Sequence, residues 1–211
     1  MNKKFELLLD DTITIFGIKL FRIKALISFG NVEEGELGGY IEKEDNLSVY
    51  GNAWVSGNAS VYGDAWVYGN AWVSGDAWVS GNARVYGDAW VYGDAWVYGN
   101  AWVSGNARVY GDAWVYGDAW VSGNASVYGN ADVSGNASVY GNADYIVFKN
   151  HWSSGRYFTY TKSNKMWRVG CFYGTGQELI NKAYQDSEIS GKHYEAYVEF
   201  VEKLEKLEET K

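Results

Sequence analysis

A six-residue phrase, repeated without interruption, constrains the fold of this chain more than any other feature. The phrase Gly-Asn/Asp-Ala-x-Val-Tyr/Ser occurs sixteen times between Gly51 and Ile146, with no insertion or deletion. Glycine opens every copy and alanine fills every third place. Valine fills the fifth place in all copies but the last, which carries Tyr145. A short fixed period of this kind is typical of a parallel β-helix, in which each copy supplies a strand and a corner.

The two faces of each copy differ in chemistry. Side chains alternate along a strand, so the alanine and valine point to one face, and the fourth and sixth residues point to the other. The Ala/Val face is small and apolar in nearly every copy, and it predicts the interior of a coil. Gly-Asn/Asp tolerates the positive φ angles that sharp corners need, and it predicts the corners.

The flanking sequence predicts two further units. Residues 1–30 alternate apolar and polar positions and predict a β-ribbon, which would cap the unpaired strand groups at the end of a coil. The coil is assigned to residues 31–147, because the phrase is already present in approximate form from Asp45. Residues 148–211 predict an α+β unit, with Thr175 as a helix N-cap. Strands are expected at 145–148, 156–161 and 166–172, and helices at 175–185 and 191–206.

Charge and composition restrict the partners. The net charge is −8, and the repeats hold eight Asp against Arg84 and Arg108, so the coil carries −6. This acidity argues against a nucleic-acid backbone as a ligand of the coil. No segment predicts a membrane span or a signal peptide, and the single cysteine, Cys171, rules out an internal disulfide. These features predict a cytoplasmic protein.

Parts of the chain outside the simple repeats resemble a known family. They are the lead-in from Asp11 to Leu26, the segment from Gly35 to Glu44 and the exit from Tyr145 to Phe148. With the repeats, they resemble hexapeptide-repeat proteins of phages and prophages, whose function is largely unassigned and which are similar to left-handed β-helix proteins. The resemblance implies an all-β left-handed parallel β-helix with three hexapeptides per turn, an N-terminal β cap and a C-terminal α+β unit. It also implies a bacterial host.

With three copies per turn, residues eighteen apart would stack at the strand spacing of about 4.8 Å and form three outward walls. The second wall would hold an uninterrupted row, Trp78, Trp96 and Trp114, between Ser60 and Asp132. The predicted binding surface is this row with its flanking tyrosines and the tryptophans of the first wall: Tyr98, Tyr116, Trp54, Trp72 and Trp90.

Two interpretations of this surface stay open. In one, the rings form ladders that fix the register of the strands; in the other, they form an apolar patch with a polar rim that binds a partner. A corner row of Asp76, Asp94 and Asp112 is predicted beneath the second wall. Repulsion within this row would be screened by solvent, by a cation or by a basic partner.

Catalysis is not indicated. Many left-handed β-helix proteins are acyltransferases that use a histidine near a loop thrown out of the coil, and the repeats contain neither feature. The two histidines, His151 and His193, cannot make the three-histidine zinc site of β-helical carbonic anhydrases. Together with Cys171 they are a weak metal candidate. We therefore predict no catalytic residue, no cofactor and no metal.

The predicted function is a non-enzymatic scaffold or interaction module of phage type. Its partner would be another copy of the chain, with a trimer favoured by family analogy, or a host protein, and no membrane. The alternative is a phage anti-defence or host-interaction protein that binds a host protein or a small nucleotide or sugar ligand. A hexapeptide acyltransferase ranks third.

Overall fold

A computed structural model describes residues 3–209. Residues 1–2 and 210–211, the outer ends of the units predicted at 1–30 and 148–211, lie outside the described residues. Within the described range the chain forms a β-solenoid, preceded by an antiparallel ribbon and followed by a small sheet with two helices.

The N-terminal ribbon is continuous with one sheet of the solenoid. Strands β1 (Phe5–Ile15) and β2 (Ile18–Ala25) pair antiparallel around a tight turn, in which Phe16 has a φ of 49° and Gly17 a φ of 81°. Strand β3 (Leu37–Ile41) pairs antiparallel with β2 and parallel with the solenoid strand at Ser60–Val61. A 3₁₀ turn at Glu44–Asn46 leads into the repeats.

Each of the first fifteen repeats contributes one short strand, and neighbouring strands within a sheet are eighteen residues apart in the chain and pair in parallel, as Trp78 pairs with Trp96. The solenoid strands are β4 (Trp54–Val55), β5 (Ser60–Val61), β6 (Trp66–Val67), β7 (Trp72–Val73), β8 (Trp78–Val79), β9 (Arg84–Val85), β10 (Trp90–Gly93), β11 (Trp96–Val97), β12 (Trp102–Val103), β13 (Arg108–Gly111), β14 (Trp114–Val115), β15 (Trp120–Val121), β16 (Ser126–Val127), β17 (Asp132–Val133) and β18 (Ser138–Val139).

These strands lie in three sheets. One has the order β1-β2-β3-β5-β8-β11-β14-β17, the second β16-β13-β10-β7-β4 and the third β18-β15-β12-β9-β6. Within every sheet a fourth-place N–H donates to the carbonyl seventeen residues further on, as Trp78 N donates to Ala95 O at 2.9 Å. These fourth-place N–H groups therefore point toward the C-terminal end of the solenoid.

The interior is the predicted one. Every repeat alanine from Ala53 to Ala137 and every valine from Val55 to Val139 is at most 1% exposed, and these residues form one continuous core. Burying a column of small side chains in this way is favoured by about 25 cal/mol per Å² of apolar surface.

The corner glycines are required by geometry. From Gly51 to Gly135 each opening glycine has a φ between 63° and 73°, a conformation that other residues adopt only at a cost. The corners also stack closely, since a Cβ on Gly75 would lie 2.9 Å from the backbone nitrogen of Gly93. An alanine here would be strained in both respects.

The C-terminal unit has four strands, one more than predicted. They are β19 (Tyr145–Lys149), β20 (Tyr157–Thr161), β21 (Met166–Val169) and β22 (Phe172–Gly174), which pair antiparallel in chain order. The predicted strand at 166–172 is wrong because Gly170, with a φ of 56°, turns the chain back on itself.

Two helices follow the small sheet. Helix α1 (Gly176–Asp186) starts at the predicted N-cap, since Thr175 accepts a hydrogen bond from the N–H of Glu178 in a capping box. Helix α2 (Glu188–Glu209) begins three residues before the predicted start, because the Ser187 hydroxyl accepts from the N–H of Ser190 at 3.0 Å. The sheet and helices bury a second core, of Phe158, Tyr160, Trp167, Leu179, Ala183, Tyr194, Val198 and Val201.

Candidate functional site: an aromatic wall on the solenoid

The candidate site is a row of three stacked indoles, Trp78, Trp96 and Trp114, which we call the aromatic wall. They lie at equivalent places of β8, β11 and β14, whose register sets one ring above the next. The ring centroids of Trp78 and Trp96 are 4.6 Å apart with planes at 13°, and those of Trp96 and Trp114 are 5.1 Å apart at 5°. The wall therefore turns ring edges outward, and Trp114 is 41% exposed.

The predicted tyrosines lie beside the wall. Tyr98 and Tyr116 stack at 4.7 Å with planes at 3°, and the Tyr98 ring meets Trp114 edge-on at 6.2 Å. Burial, and then the nearby Asp132 carboxylate, raises the pKa of Tyr116 well above its usual range. Both tyrosines are thus uncharged at neutral pH and extend the apolar surface.

The N-terminal end of the wall is covered by the ribbon. Phe16, at the ribbon turn, contacts the Trp78 ring edge-on at 5.7 Å and is itself 78% exposed. Ser60, the predicted polar rim at this end, is only 1% exposed, so that part of the prediction is wrong. Strand β3 pairs over Ser60 and hides it, and the exposed apolar surface continues onto Phe16.

At the other end, Asp132 does lie where a polar rim was predicted. Its Oδ2 is 3.4 Å from both the Arg168 Nε and the Tyr116 hydroxyl, while its buried Oδ1 has no hydrogen-bond partner. Burial raises the pKa of the Asp132 carboxyl, and the positive charge of Arg168 opposes that shift. The wall therefore ends at a partly buried carboxylate rather than at a solvated one.

The first-wall tryptophans are not equivalent. Trp90 is 48% exposed and stacks with half-buried Trp72 at 6.4 Å, and the Trp72 Nε1 donates to the Ser56 hydroxyl at 3.0 Å. The prediction that Trp54 belongs to the binding surface is wrong, because Trp54 is completely buried. Phe29, from the segment after the ribbon, packs edge-on against it at 5.5 Å.

The acidic corner row is exposed along its whole length. Its two ends are met by side-chain amides: Asn58 donates to Asp76 at 3.1 Å, and Asn130 donates to Asp112 at 3.4 Å. Asp94 lies between the two aspartates. In the other corner rows amides donate to carboxylates or to other amides, as where Asn100 donates to Asp118 at 3.0 Å and Asn82 donates to Asn100 at 2.9 Å.

The structure brings the two histidines together but not with the cysteine. The ring centroids of His151 and His193 lie 6.3 Å apart, and Trp152 stacks on His193 at 4.3 Å. Cys171 is exposed and lines a separate groove beside the solenoid. Across residues 3–209 no group of three His, Cys, Asp or Glu side chains is arranged to hold a metal ion.

Sequence reasoning missed Arg156, Tyr157 and Arg168, which stand with Trp114 and Asp132 around that groove. These residues lie in irregular sequence that carries no motif. The one signal that could have indicated them is that the tryptophan row ends at Asp132, just before the C-terminal unit begins.

These features define a β-solenoid protein with an aromatic outer surface and capping units at both ends. Three stretches of the chain, residues 65–81, 77–93 and 101–117, match the YdcK β-solenoid repeat. No curated protein matches the chain significantly. In the described part, neither helix is long and apolar enough to cross a membrane.

Proposed function

We propose that this chain is a non-enzymatic interaction module whose aromatic wall binds a second copy of the chain. The observation that carries the proposal is an apolar strip that runs across the N-terminal ribbon and three solenoid strands, with Phe16 and Trp114 exposed and Trp78 and Trp96 half-buried between them. Contiguous apolar strips are uncommon on monomers and usually mark interfaces. Tryptophan is also a preferred anchor there.

The stacking itself explains only part of this surface. Stacked rings fix strand register and contribute about 0.2–1 kcal/mol per pair. A register role does not require Phe16 to be 78% exposed beside the wall. A partner that covers the strip would gain about 25 cal/mol per Å² of apolar surface, before the cost of association.

The finer features implied by the family resemblance belong to the same proposal. They are a left-handed coil with three hexapeptides per turn, a phage-type origin, and three copies associated side by side. The pairing of residues eighteen apart supports three repeats per turn.

The test is the sedimentation of two matched triple variants. Changing Trp78, Trp96 and Trp114 to serine removes the wall and leaves the Ala/Val core intact. The control makes the same change at Trp66, Trp102 and Trp120, each 40% exposed on another sheet. We expect the native chain and the control to sediment as the same oligomer and the wall variant as a monomer.

A monomeric native chain, or equal dissociation of both variants, would overturn self-association. Circular dichroism and thermal melting of each variant check that its fold is intact. The host-protein alternative predicts a monomer that captures a bacterial protein through the same wall. It is tested by pull-down with the wall variant and its control.

A further inference from the structure

A groove lies where the solenoid meets the C-terminal unit, and we call it the junction groove. Its volume is about 760 Å³, within the usual range for small-molecule sites. Its lining includes Trp114, Asp132, Arg156, Tyr157, Arg168 and Cys171. The solenoid supplies the first two of these residues and the C-terminal unit the other four.

The stacking order of the wall leaves one place without a ring. Trp114 pairs in register with Trp96 on one side and with Asp132 on the other. The Trp96 ring covers one face of the Trp114 indole at 5.1 Å. Since Asp132 has no ring, the aromatic stack stops at Trp114, and the junction groove opens beside it.

The two arginines of the groove differ in whether the protein supplies them with an ion-pair partner. Arg168 is paired with Asp132 and lies 5.5 Å over the Tyr116 ring, so it is held by the protein. Arg156 is exposed, and within residues 3–209 it forms no ion pair. Asp112, at the edge of the groove, accepts a hydrogen bond from Asn130 at 3.4 Å. The groove therefore offers a guanidinium for an anion and a carboxylate for an N–H donor.

We propose that the junction groove binds a purine mononucleotide, with its base against Trp114 and its phosphate at Arg156. A purine is flat and of indole size, and base–aromatic stacking is a major source of affinity for such ligands. Arg binds phosphate oxygens in a forked geometry, and base amino groups are donors for a carboxylate such as Asp112. This site shares Trp114 with the wall, and its other two contacts, at Asp112 and Arg156, lie outside the wall.

The single cysteine gives a direct measure of occupancy. Cys171 is exposed, lines the groove and is the only thiol in the chain, so a bound nucleotide should slow its reaction with a maleimide. The probes are AMP and GMP, with adenosine and inorganic phosphate as separate arms for ring and anion. We expect saturable protection by the nucleotides, and weaker protection by adenosine or phosphate alone.

Calorimetry with the same nucleotides locates the contacts. Trp114→Ala should weaken binding about tenfold, as expected for loss of a stacked base. Arg156→Gln should weaken AMP and GMP about tenfold and leave adenosine unchanged. The matched controls are Trp102→Ala and Arg108→Gln, which alter exposed residues outside the groove and should leave binding as in the native chain.

The proposal is overturned if neither nucleotide protects Cys171 or gives heat at millimolar concentration. It is equally overturned if the groove variants bind as tightly as the controls. Arg156 lies outside the wall and Trp96 outside the groove. Loss of binding in Arg156→Gln with an unchanged oligomer thus separates this site from the wall.

Discussion

The two ends of the solenoid leave different third- and fourth-place backbone groups for their caps to serve. Because each fourth-place N–H donates to a third-place carbonyl of the next turn, the first turn has third-place carbonyls that no strand serves, and the last turn has fourth-place N–H groups that no strand accepts. At the beginning, Lys4 Nζ donates to the carbonyls of Ser48, Gly51 and Ala53 at 3.0, 3.3 and 2.7 Å. The Asn46 side chain donates to two more, those of Gly63 and Ala65.

At the far end, side-chain oxygens serve the last strand of each sheet. The N–H of Ser126 donates to Asn142 Oδ1 at 2.8 Å, that of Asp132 to Thr159 Oγ1 at 2.9 Å, and that of Ser138 to Ser163 Oγ at 2.7 Å. Buried backbone groups need partners, so these third-place carbonyls need donors and these fourth-place N–H groups need acceptors. The comparison teaches that each cap is fitted to the groups that its own end leaves.

The largest expected effect is at the N-terminal cap. Lys4→Met removes one donor from three carbonyls, and we expect a loss of about 3 kcal/mol of unfolding free energy. Chemical denaturation measures it. The control is Lys3→Met, since Lys3 only forms an exposed pair with Glu44 and should cost under about 0.5 kcal/mol. Equal losses in the two variants would show that Lys4 does not cap the coil.

A pH titration is a second test of Lys4 as the N-terminal cap. Burial lowers the pKa of Lys4 from 10.5 to about 8. The unfolded chain thus holds this proton more tightly, so the stability of the native chain relative to Lys4→Met should rise by about 2 kcal/mol from pH 8 to pH 10. The comparison cancels the tyrosines, which titrate in both proteins. A flat difference would mean that the three carbonyl contacts hold the ammonium charged and offset its burial.

At the C-terminal cap, a hydroxyl can be removed with little change of shape. Thr159 is 1% exposed, so Thr159→Val should leave the N–H of Asp132 without its acceptor and cost about 1–2 kcal/mol in denaturant unfolding. Thr159→Ser keeps the oxygen and is the matched control. If serine destabilises as much as valine, the methyl group rather than the hydrogen bond holds this end.

The smallest effect is expected at the exposed corner of that cap. Ser163→Ala removes the acceptor for the N–H of Ser138, but the hydrogen bond is exposed and water can replace the hydroxyl. We expect a loss of about 0.5 kcal/mol. Amide hydrogen exchange is the sensitive measurement, and it should rise at Ser138 while the Ser126 amide stays protected. Uniform faster exchange at both amides would contradict separate capping.

The sequence predicts the solenoid far better than its ends. Periodicity places every Ala and Val inside because each copy faces the same surroundings as the copies eighteen residues away. The caps rest on single side chains, such as Lys4 and Thr159, that meet backbone 27 to 49 residues distant, and no local pattern records such contacts. Trp54 fails for the same reason, since the residue that buries it, Phe29, lies outside the repeat.

The part of the candidate site that lies on the repeats was predictable from the sequence. Trp78, Trp96 and Trp114 follow from strand register, and so do their tyrosine neighbours. The junction groove does not, because Arg156 and Arg168 reach it only through the turns and pairing of the C-terminal sheet.

Because of the strand register, the length of the solenoid and the direction in which its C-terminal unit faces can be changed separately. Removing eighteen residues of repeat would shorten the solenoid by one strand spacing, about 4.8 Å, and return the C-terminal unit to the same sheet. Removing six would instead carry that unit from one sheet to the next, with every cap contact still available. The repeats thus act as a spacer that sets how far apart the two end units stand and in which direction each faces.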